Sequence, residues 1–189
     1  MHPYILASRD LKILKLGGEV KIEKPAVGCI KIGLGECGIV DHKYKRSIWQ
    51  NSGTVIFGGR AQLGVGMRVS NSGVLRIGDH CHFNANSDII CQKEICFGDE
   101  CLVSWECLIM DTDFHSITDA ASGEVVNPDR KIEFGRHVWL GSRCTVLKGS
   151  SIADDSVIAS CSLVTGKLEQ AGCVYASDRI IRQDISWLS

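Results

Sequence analysis

The amino-acid sequence predicts an all-β solenoid, a triangular prism of short strands, and three observations lead to this fold class. Aliphatic residues or phenylalanine recur every six positions through most of the chain. A small residue usually follows each of them, as a tight corner requires. The sequence shows neither the apolar spacing of three and four typical of an amphipathic helix nor the long helical stretches of a doubly wound fold.

The period of six defines the core of the predicted prism. In the first half of the chain two extra residues follow every third hexad, so three hexads form one coil. If each hexad is one side of a triangular coil, the anchor side chains point inward and stack between coils about 4.8 Å apart. Each buried anchor contributes about 1.5–3 kcal/mol, so the core needs few aromatic residues. The anchors are Phe57, Leu63, Val69, Ile77, Phe83, Ile89, Phe97, Val103, Ile109, Phe134, Leu140, Val146, Ile152, Ile158 and Val164.

Composition narrows the class of protein. The chain has 189 residues, the size of one domain, and its 21 Lys and Arg against 22 Asp and Glu give a net charge of −1. Such a balance provides no basic surface for nucleic acid. No apolar run is long enough for a membrane-spanning helix, and the first ten residues lack the order of a secretory signal. We therefore expect a cytoplasmic location without membrane insertion.

The ten cysteines are expected to be reduced thiols, because no export signal accompanies them. No two stand three apart, so the paired spacing of common zinc ligands is absent. Cys81, Cys101, Cys107 and Cys144 share a repeat position that points inward, which predicts that they are buried and unreactive.

The repeat also predicts the organisation of the chain. Residues 1–56 are expected to form an irregular N-terminal cap or first coils, and residues 57–169 the repeat prism. Within the prism the hexads stop over 110–133, which predicts a loop leaving one corner. Residues 170–189 form a closing segment, in which Ile180 to Trp187 are expected to be a short amphipathic helix.

Two segments resemble a known family. Val138 to Thr165, VWLGSRCTVLKGSSIADDSVIASCSLVT, resembles the hexapeptide-repeat acyltransferases, and Asp111 to Ile117, DTDFHSI, resembles the acceptor loop of their sugar O-acetyltransferase branch. The nearest types are capsule, lipopolysaccharide and colanic-acid acetyltransferases, followed by maltose and galactoside acetyltransferases. The resemblance covers about residues 57–182.

The resemblance implies a left-handed parallel β-helix, a homotrimer, and acetyl-CoA bound between neighbouring prisms without a metal. It also implies a saccharide hydroxyl or amino group as acceptor, in bacterial surface polysaccharide synthesis.

Five residues are candidates for the acceptor side, of which His115 and Asn84 follow from the resemblance. His115 matches the catalytic histidine, and an unperturbed histidine is mostly neutral at pH 7, as a general base must be. Asp113 or Asp111 would either orient the ring through its second nitrogen or satisfy loop amides. Asn84 matches an asparagine that contacts the acceptor in galactoside-type relatives. Trp105, one corner away, is a second acceptor candidate.

Further positions match those that bind the acyl donor in the family. Trp139 and Ser142 would line the CoA arm, whereas arginines would pair with the CoA phosphates. Lys167 lies one position away from the usual family lysine. The full set implied for CoA is Trp139, Ser142, Ala159, Ser160, Thr165, Lys167, Arg179 and Arg182.

Two other functions remain open from the sequence. A β-helix of this kind could be a non-catalytic scaffold, although such a prism would run without a histidine-bearing loop. It could also be a zinc lyase of the carbonic-anhydrase type, which uses three histidines per metal. The nearest histidine after His115 is His137, far from the spacing that such a site needs.

Overall fold

The computed structural model describes residues 3–35, 37–38, 40–41 and 44–188, so residues 1–2 and 189 of the predicted terminal segments lie outside it. Within these ranges every regular element is a strand, and no helix is present that could cross a membrane. Grouped by coil, the strands are β1 (Ile5–Ala7), β2 (Lys12–Leu16), β3 (Glu19–Ile22); β4 (Ile30–Ile32), β5 (Ile48–Asn51), β6 (Thr54–Phe57); β7 (Ala61–Leu63), β8 (Arg68–Asn71), β9 (Val74–Ile77); β10 (Cys81–Phe83), β11 (Asp88–Cys91), β12 (Glu94–Phe97); β13 (Leu102–Val103), β14 (Leu108–Met110), β15 (Ile132–Phe134); β16 (Trp139–Leu140), β17 (Thr145–Leu147), β18 (Ser151–Ile152); β19 (Val157–Ile158), β20 (Leu163–Val164), β21 (Lys167–Leu168); and finally β22 (Val174–Ala176) and β23 (Arg179–Arg182).

The strands form three sheets, and each full coil contributes one strand to each sheet. Sheet A has the order β1-β4-β7-β10-β13-β16-β19-β22-β23, sheet B the order β2-β5-β8-β11-β14-β17-β20, and sheet C the order β3-β6-β9-β12-β15-β18-β21. Every pair is parallel except β22 with β23. The chain passes from A to B to C and back, so the predicted three-sided solenoid is confirmed.

The anchors of the six-residue period form the core, as predicted. All fifteen are at most 5% exposed. In sheet C, for example, Phe57 pairs with Ile77, Ile77 with Phe97 and Phe97 with Phe134, so equivalent anchors stack along the prism. Cys81, Cys101, Cys107 and Cys144 are likewise buried. All ten cysteines are free thiols.

Tight corners keep successive coils in contact. A Cβ added to Gly78, at the corner between sheets C and A (the C–A corner), would lie 2.5 Å from the backbone of Gly98 in the next coil. Real Cβ atoms do not approach backbone so closely, so this position requires glycine. The small residues that follow the anchors in sequence therefore have a direct steric cause.

The N-terminal region is more regular than an irregular cap. Residues 5–57 form two complete coils whose strands are in register with the rest of the prism. The period is hard to detect there because a bulge interrupts β2 between Ile13 and Lys15, and because residues 33–47 separate β4 from β5. Phe57, the predicted start of the prism, is the last residue of β6.

The prediction of a C-terminal helix was wrong. Arg179 to Arg182 form β23, which is antiparallel to β22 and connected to it by a turn in which Ser177 has a φ of 56°. β-Branched residues such as Ile180 favour strands, and the hairpin provides backbone partners at the end of sheet A. Beyond β23 the chain returns to the prism, where the Trp187 indole N–H donates to the carbonyl of His137 (3.1 Å).

Candidate active site

The 111–131 loop leaves the prism at the corner between sheets B and C (the B–C corner). β14 ends at Met110 in sheet B and β15 begins at Ile132 in sheet C. The loop has little regular structure of its own, apart from one antiparallel bridge between Thr118 and Val125. It corresponds to the interruption of hexads that the sequence placed at 110–133.

His115 is exposed on this loop. It lines a cleft of about 150 Å³ together with Thr112, Phe114, Asn127 and Asp129, among others. In the part of the chain that the structure describes, its imidazole makes no hydrogen bond, whereas its carbonyl accepts one from the Asn127 side chain (2.9 Å). The ring is therefore available to a ligand, while the main chain of the residue is held.

Asp113 contacts two residues that the sequence did not single out. Its Oδ2 accepts hydrogen bonds from the Lys148 ammonium and from the Asn127 amide, the latter at 2.7 Å. The Lys148 and Asn127 donors lower the pKa of the Asp113 carboxyl below its usual value. Asp113 is thus linked to the main chain of His115 through Asn127, and these bonds do not involve the imidazole.

Asp111 is buried inside the B–C corner, away from the exposed ring of His115. Its two carboxylate oxygens accept the backbone N–H groups of Gln92 (2.7 Å), Lys93 (2.9 Å) and Glu94 (2.7 Å). Of the two roles left open by the sequence, the structure shows the satisfaction of main-chain amides, in this case those of the preceding coil. Asp111 stabilises the corner from which the loop departs.

The acceptor candidates lie at another corner, between sheets A and B (the A–B corner). Asn84 follows β10, and its N–H donates to Val103 in the next coil (2.8 Å). Trp105 occupies the same corner one coil further along and is 38% exposed. The Trp105 carbonyl accepts the N–H of Arg143 (3.0 Å) in the following coil. Asn84 and Trp105 therefore lie on one row of A–B corners, in neighbouring coils and one position apart in register.

Most of the predicted CoA residues lie near this row. Ser142 and Ser160 occupy the A–B corner in the next two coils, where the Ser142 carbonyl accepts the N–H of Cys161 (2.9 Å). Trp139 lies on the adjoining outer face of sheet A, and its indole N–H donates to the Ser104 hydroxyl (3.0 Å).

The remaining CoA candidates divide between two sides of the prism. Ala159 is at the A–B corner, and Arg179 and Arg182 lie on β23 at the end of sheet A, so these three are on the same side as Trp139. Thr165 and Lys167 instead lie at the B–C corner and on sheet C, the side from which the His115 loop leaves. Within a single copy of the chain, the predicted base and most of the predicted donor residues therefore lie on different sides of the prism.

Comparison with known proteins gives two curated relatives, although no family model matches the chain. The chain is 28% identical over 131 residues to the putative lipopolysaccharide biosynthesis O-acetyl transferase WbbJ of Escherichia coli strain K12, covering 64% of the chain and 67% of that protein. It is 35% identical over 66 residues to the polysialic acid O-acetyltransferase of Neisseria meningitidis, covering 35% of the chain but only 31% of that relative. Both relatives are O-acetyltransferases, and the chain is similar to them over these segments.

Solved structures of similar fold cover most of the chain. The polySia specific acetyltransferase NeuO matches with a TM-score of 0.58 and 17% identity, over 97% of this chain and 89% of that one. A mutant of AntD, an N-acyltransferase from Bacillus cereus in complex with dTDP and coenzyme A, also has a TM-score of 0.58, with 16% identity over 87% and 83% of the two chains. At these identities the likeness establishes the fold.

Lys148, Asn127 and Trp187 were not identified from the sequence as neighbours of the candidate site residues. The Trp187 ring stacks on His137 (centroids 3.9 Å apart) and lies 5.8 Å from the Trp139 ring. No period or motif marks these residues, because each contact joins a loop or tail to a different coil. Each of these contacts forms only because the coils stack in register.

The histidines of the described residues do not assemble around His115. His137 lies at the C–A corner, where its Nδ1 is 3.0 Å from Asp155 Oδ1. Across the described ranges no group of three or more His, Cys, Asp or Glu side chains is placed to hold a metal ion. The ligand set that the zinc-lyase alternative needs is therefore not formed by these residues.

Proposed function

We propose that this acetyltransferase, in the cytoplasm, moves the acetyl group of acetyl-CoA to a hydroxyl group of a saccharide, with His115 as general base, in the synthesis of a bacterial surface polysaccharide. The observation that supports this role most directly is the unpaired, exposed imidazole on a loop whose main chain is fixed by hydrogen bonds. The O-acetyltransferase relatives support the reaction class and the saccharide acceptor.

The chemistry needs one proton acceptor at the hydroxyl. Neutral His115 takes the hydroxyl proton as the acceptor oxygen attacks the thioester carbonyl, which forms a tetrahedral oxyanion. Collapse of this intermediate breaks the carbon–sulfur bond and releases CoA, whose sulfur takes the proton back from the imidazolium. No net proton remains on the enzyme, so His115 is ready for the next turnover.

The placement of the candidates supports a site shared between copies. In one prism the His115 loop leaves the B–C corner, whereas Trp139 and Ser142 are on the A side. A homotrimer of left-handed coils, as implied by the family resemblance, would bring the loop of one copy against the A–B corner of another. Exposed apolar side chains on the loop, Phe114 and Ile117 among them, would be covered by such a contact.

The side chains on the donor side of the prism suit the charge and shape of acetyl-CoA. Arg179 and Arg182 on β23 would pair with the CoA phosphates, and Trp139 and Ser142 would line the pantetheine arm. Ala159 and Ser160, at the A–B corner, would present backbone groups to the pantetheine amides. Thr165 and Lys167, which share a side with His115, would meet the donor from the opposite wall of the groove.

Release of CoA thiol tests the proposed function. Purified protein is incubated with acetyl-CoA and a panel of saccharide acceptors, with free thiol detected and the product checked by mass. We expect thiol release that depends on the acceptor, and a rise in melting temperature with acetyl-CoA, since ligand at 100 times its Kd adds about 2.7 kcal/mol of stability. No stabilisation by saturating acetyl-CoA would contradict the proposal and favour a scaffold.

A further inference from the structure

We propose that Lys148 and Asn127 are positioning residues for His115, which act by tying the main chain on both sides of the imidazole to the body of the prism. This inference rests on the proposed function in one respect, namely that His115 is the base.

The burial of Lys148 is the first observation. Its side chain is only 11% exposed, although it carries a charge that water would solvate. Lys148 directly follows β17, and Leu147 of β17 pairs with Met110, the last residue before the loop. A buried ammonium needs hydrogen-bonding partners. Lys148 finds them in the loop, in the Asp113 carboxylate and in the Asn127 carbonyl (2.6 Å).

The second observation is the way Asn127 connects the segment around His115. Its Nδ2 donates both to Asp113 Oδ2 (2.7 Å) and to the His115 carbonyl (2.9 Å). Its Oδ1 accepts the N–H of Ile117 (2.5 Å). The chain is therefore held two residues before His115, at His115, and two residues after it. The Asn127 carbonyl accepts a hydrogen bond from Lys148, which connects this segment to the body of the prism.

These bonds restrain the backbone on both sides of His115, whereas its imidazole makes no hydrogen bond in the described residues. A loop in solvent would allow the imidazole many positions, and misplacement of a catalytic group by about 1 Å can cost 10²-fold in rate. With Asp113, Asn127 and Lys148 in place, the ring starts from one backbone position. These hydrogen bonds therefore position the backbone that carries the proposed base without contacting its ring.

A positioning role differs from simple anchoring in the kinetic constant that it changes. Loosening the loop leaves the donor candidates on β16 and β23 untouched, so kcat should fall while KM for acetyl-CoA stays near the parent value. A purely structural role would lower the melting temperature and leave kcat of the folded protein unchanged.

The test compares Lys148→Met, which keeps the length but removes the charge, with Lys148→Arg, which keeps the charge. Lys12→Met is the matched control, since Lys12 is an exposed lysine of sheet B in the first coil. For Lys148→Met we expect kcat about 10- to 100-fold lower and KM for acetyl-CoA little changed. Lys148→Arg should lose less of kcat than Lys148→Met, and Lys12→Met should match the parent.

Amide exchange around His115 gives a readout independent of turnover. We expect faster exchange in this segment of Lys148→Met than in the parent. A folded Lys148→Met with kcat within about threefold of the parent and parent amide exchange around His115 would overturn the inference. If His115→Ala is inactive in the same assay, the proposed function would stand while the inference fails. If His115→Ala is fully active, the proposed function is wrong instead.

Asn127→Ala decides the matter if Lys148→Met does not fold. This variant removes three of the hydrogen bonds around His115 but leaves Lys148 paired with Asp113. We expect a lower kcat and a more mobile loop around His115, seen as faster amide exchange at Ile117. Parent values for both would overturn the inference.

Discussion

Phe97 and Phe134 stack face to face in the core, with ring centroids 4.4 Å apart and planes 11° apart, although the whole 111–131 loop separates them in sequence. β12 and β15 pair in register on either side of this loop. The loop is therefore added at a corner without displacing the repeat, so substitutions in the loop and in the core should act separately on the proposed chemistry and on stability.

This separation predicts very different effects for two phenylalanines. Phe134→Ala should lower the free energy of unfolding by about 3–5 kcal/mol, because it leaves a cavity beside Phe97. Phe114→Ala, on the exposed loop, should change it by less than about 1 kcal/mol. Urea denaturation of both variants measures the difference. Equal stabilities would contradict the stacked register of sheet C.

Asp111 is predicted to affect stability. Asp111→Asn replaces one of the two oxygens that accept three backbone N–H groups with a donor, and should cost about 1–3 kcal/mol or more. Asp178→Asn, at an exposed position in the β22–β23 turn, is the control and should be neutral. Chemical denaturation checks both. A fully stable Asp111→Asn with acetyl transfer as low as in His115→Ala would show a chemical role instead.

The buried cysteines should resist labelling in the native state. Burial raises the pKa of Cys107 to about 12 and also raises that of Cys144, so almost no reactive thiolate exists at pH 8. Cys161 is exposed and should react first. Mass spectrometry after brief treatment with a thiol reagent, with Cys161→Ser as control, tests this. Rapid native labelling of Cys81 or Cys107 would contradict the inward orientation.

The shared-site proposal predicts complementation between two inactive variants. His115→Ala removes the base, and Ser160→Trp places bulk at the exposed A–B corner where the donor is expected. If each groove combines the loop of one copy with the A–B corner of another, co-expressed copies should regain about a quarter of parent activity. Half of the copies have an intact loop and the other half an intact A–B corner, so about one groove in four combines the two. Mixing the separately folded variants is the control. No recovery in co-assembled protein would contradict the shared groove.

The extent of sequence prediction follows from the physics of the repeat. An anchor such as Leu140 or Ile158 is recognisable because every coil needs an apolar, core-filling side chain at the same repeat position. Asn71 and Leu75 are also buried, but each lies two positions from an anchor of its own strand, outside the period of six.

Features outside the repeat could be predicted only where a motif marks them. The string around His115 marks the loop, but the partners of that loop, Lys148 and Asn127, depend on contacts between separate coils. In the C-terminal segment, the alternation around Ile180 and Ile181 suits a strand edge as well as a helix face. The open edge of sheet A decides for the strand, and that edge exists only after folding.

Turnover of His115→Ala tests the central claim most directly. His80→Ala, an exposed histidine at the C–A corner, is the control, and acetyl-CoA binding and melting temperature are measured for both variants. We expect kcat of His115→Ala to fall by about 10²–10⁴-fold, the usual contribution of a general base, while donor binding and melting temperature stay close to the parent. If His115→Ala keeps more than about a tenth of the parent kcat on a verified acceptor, by the same scale, His115 is not the base.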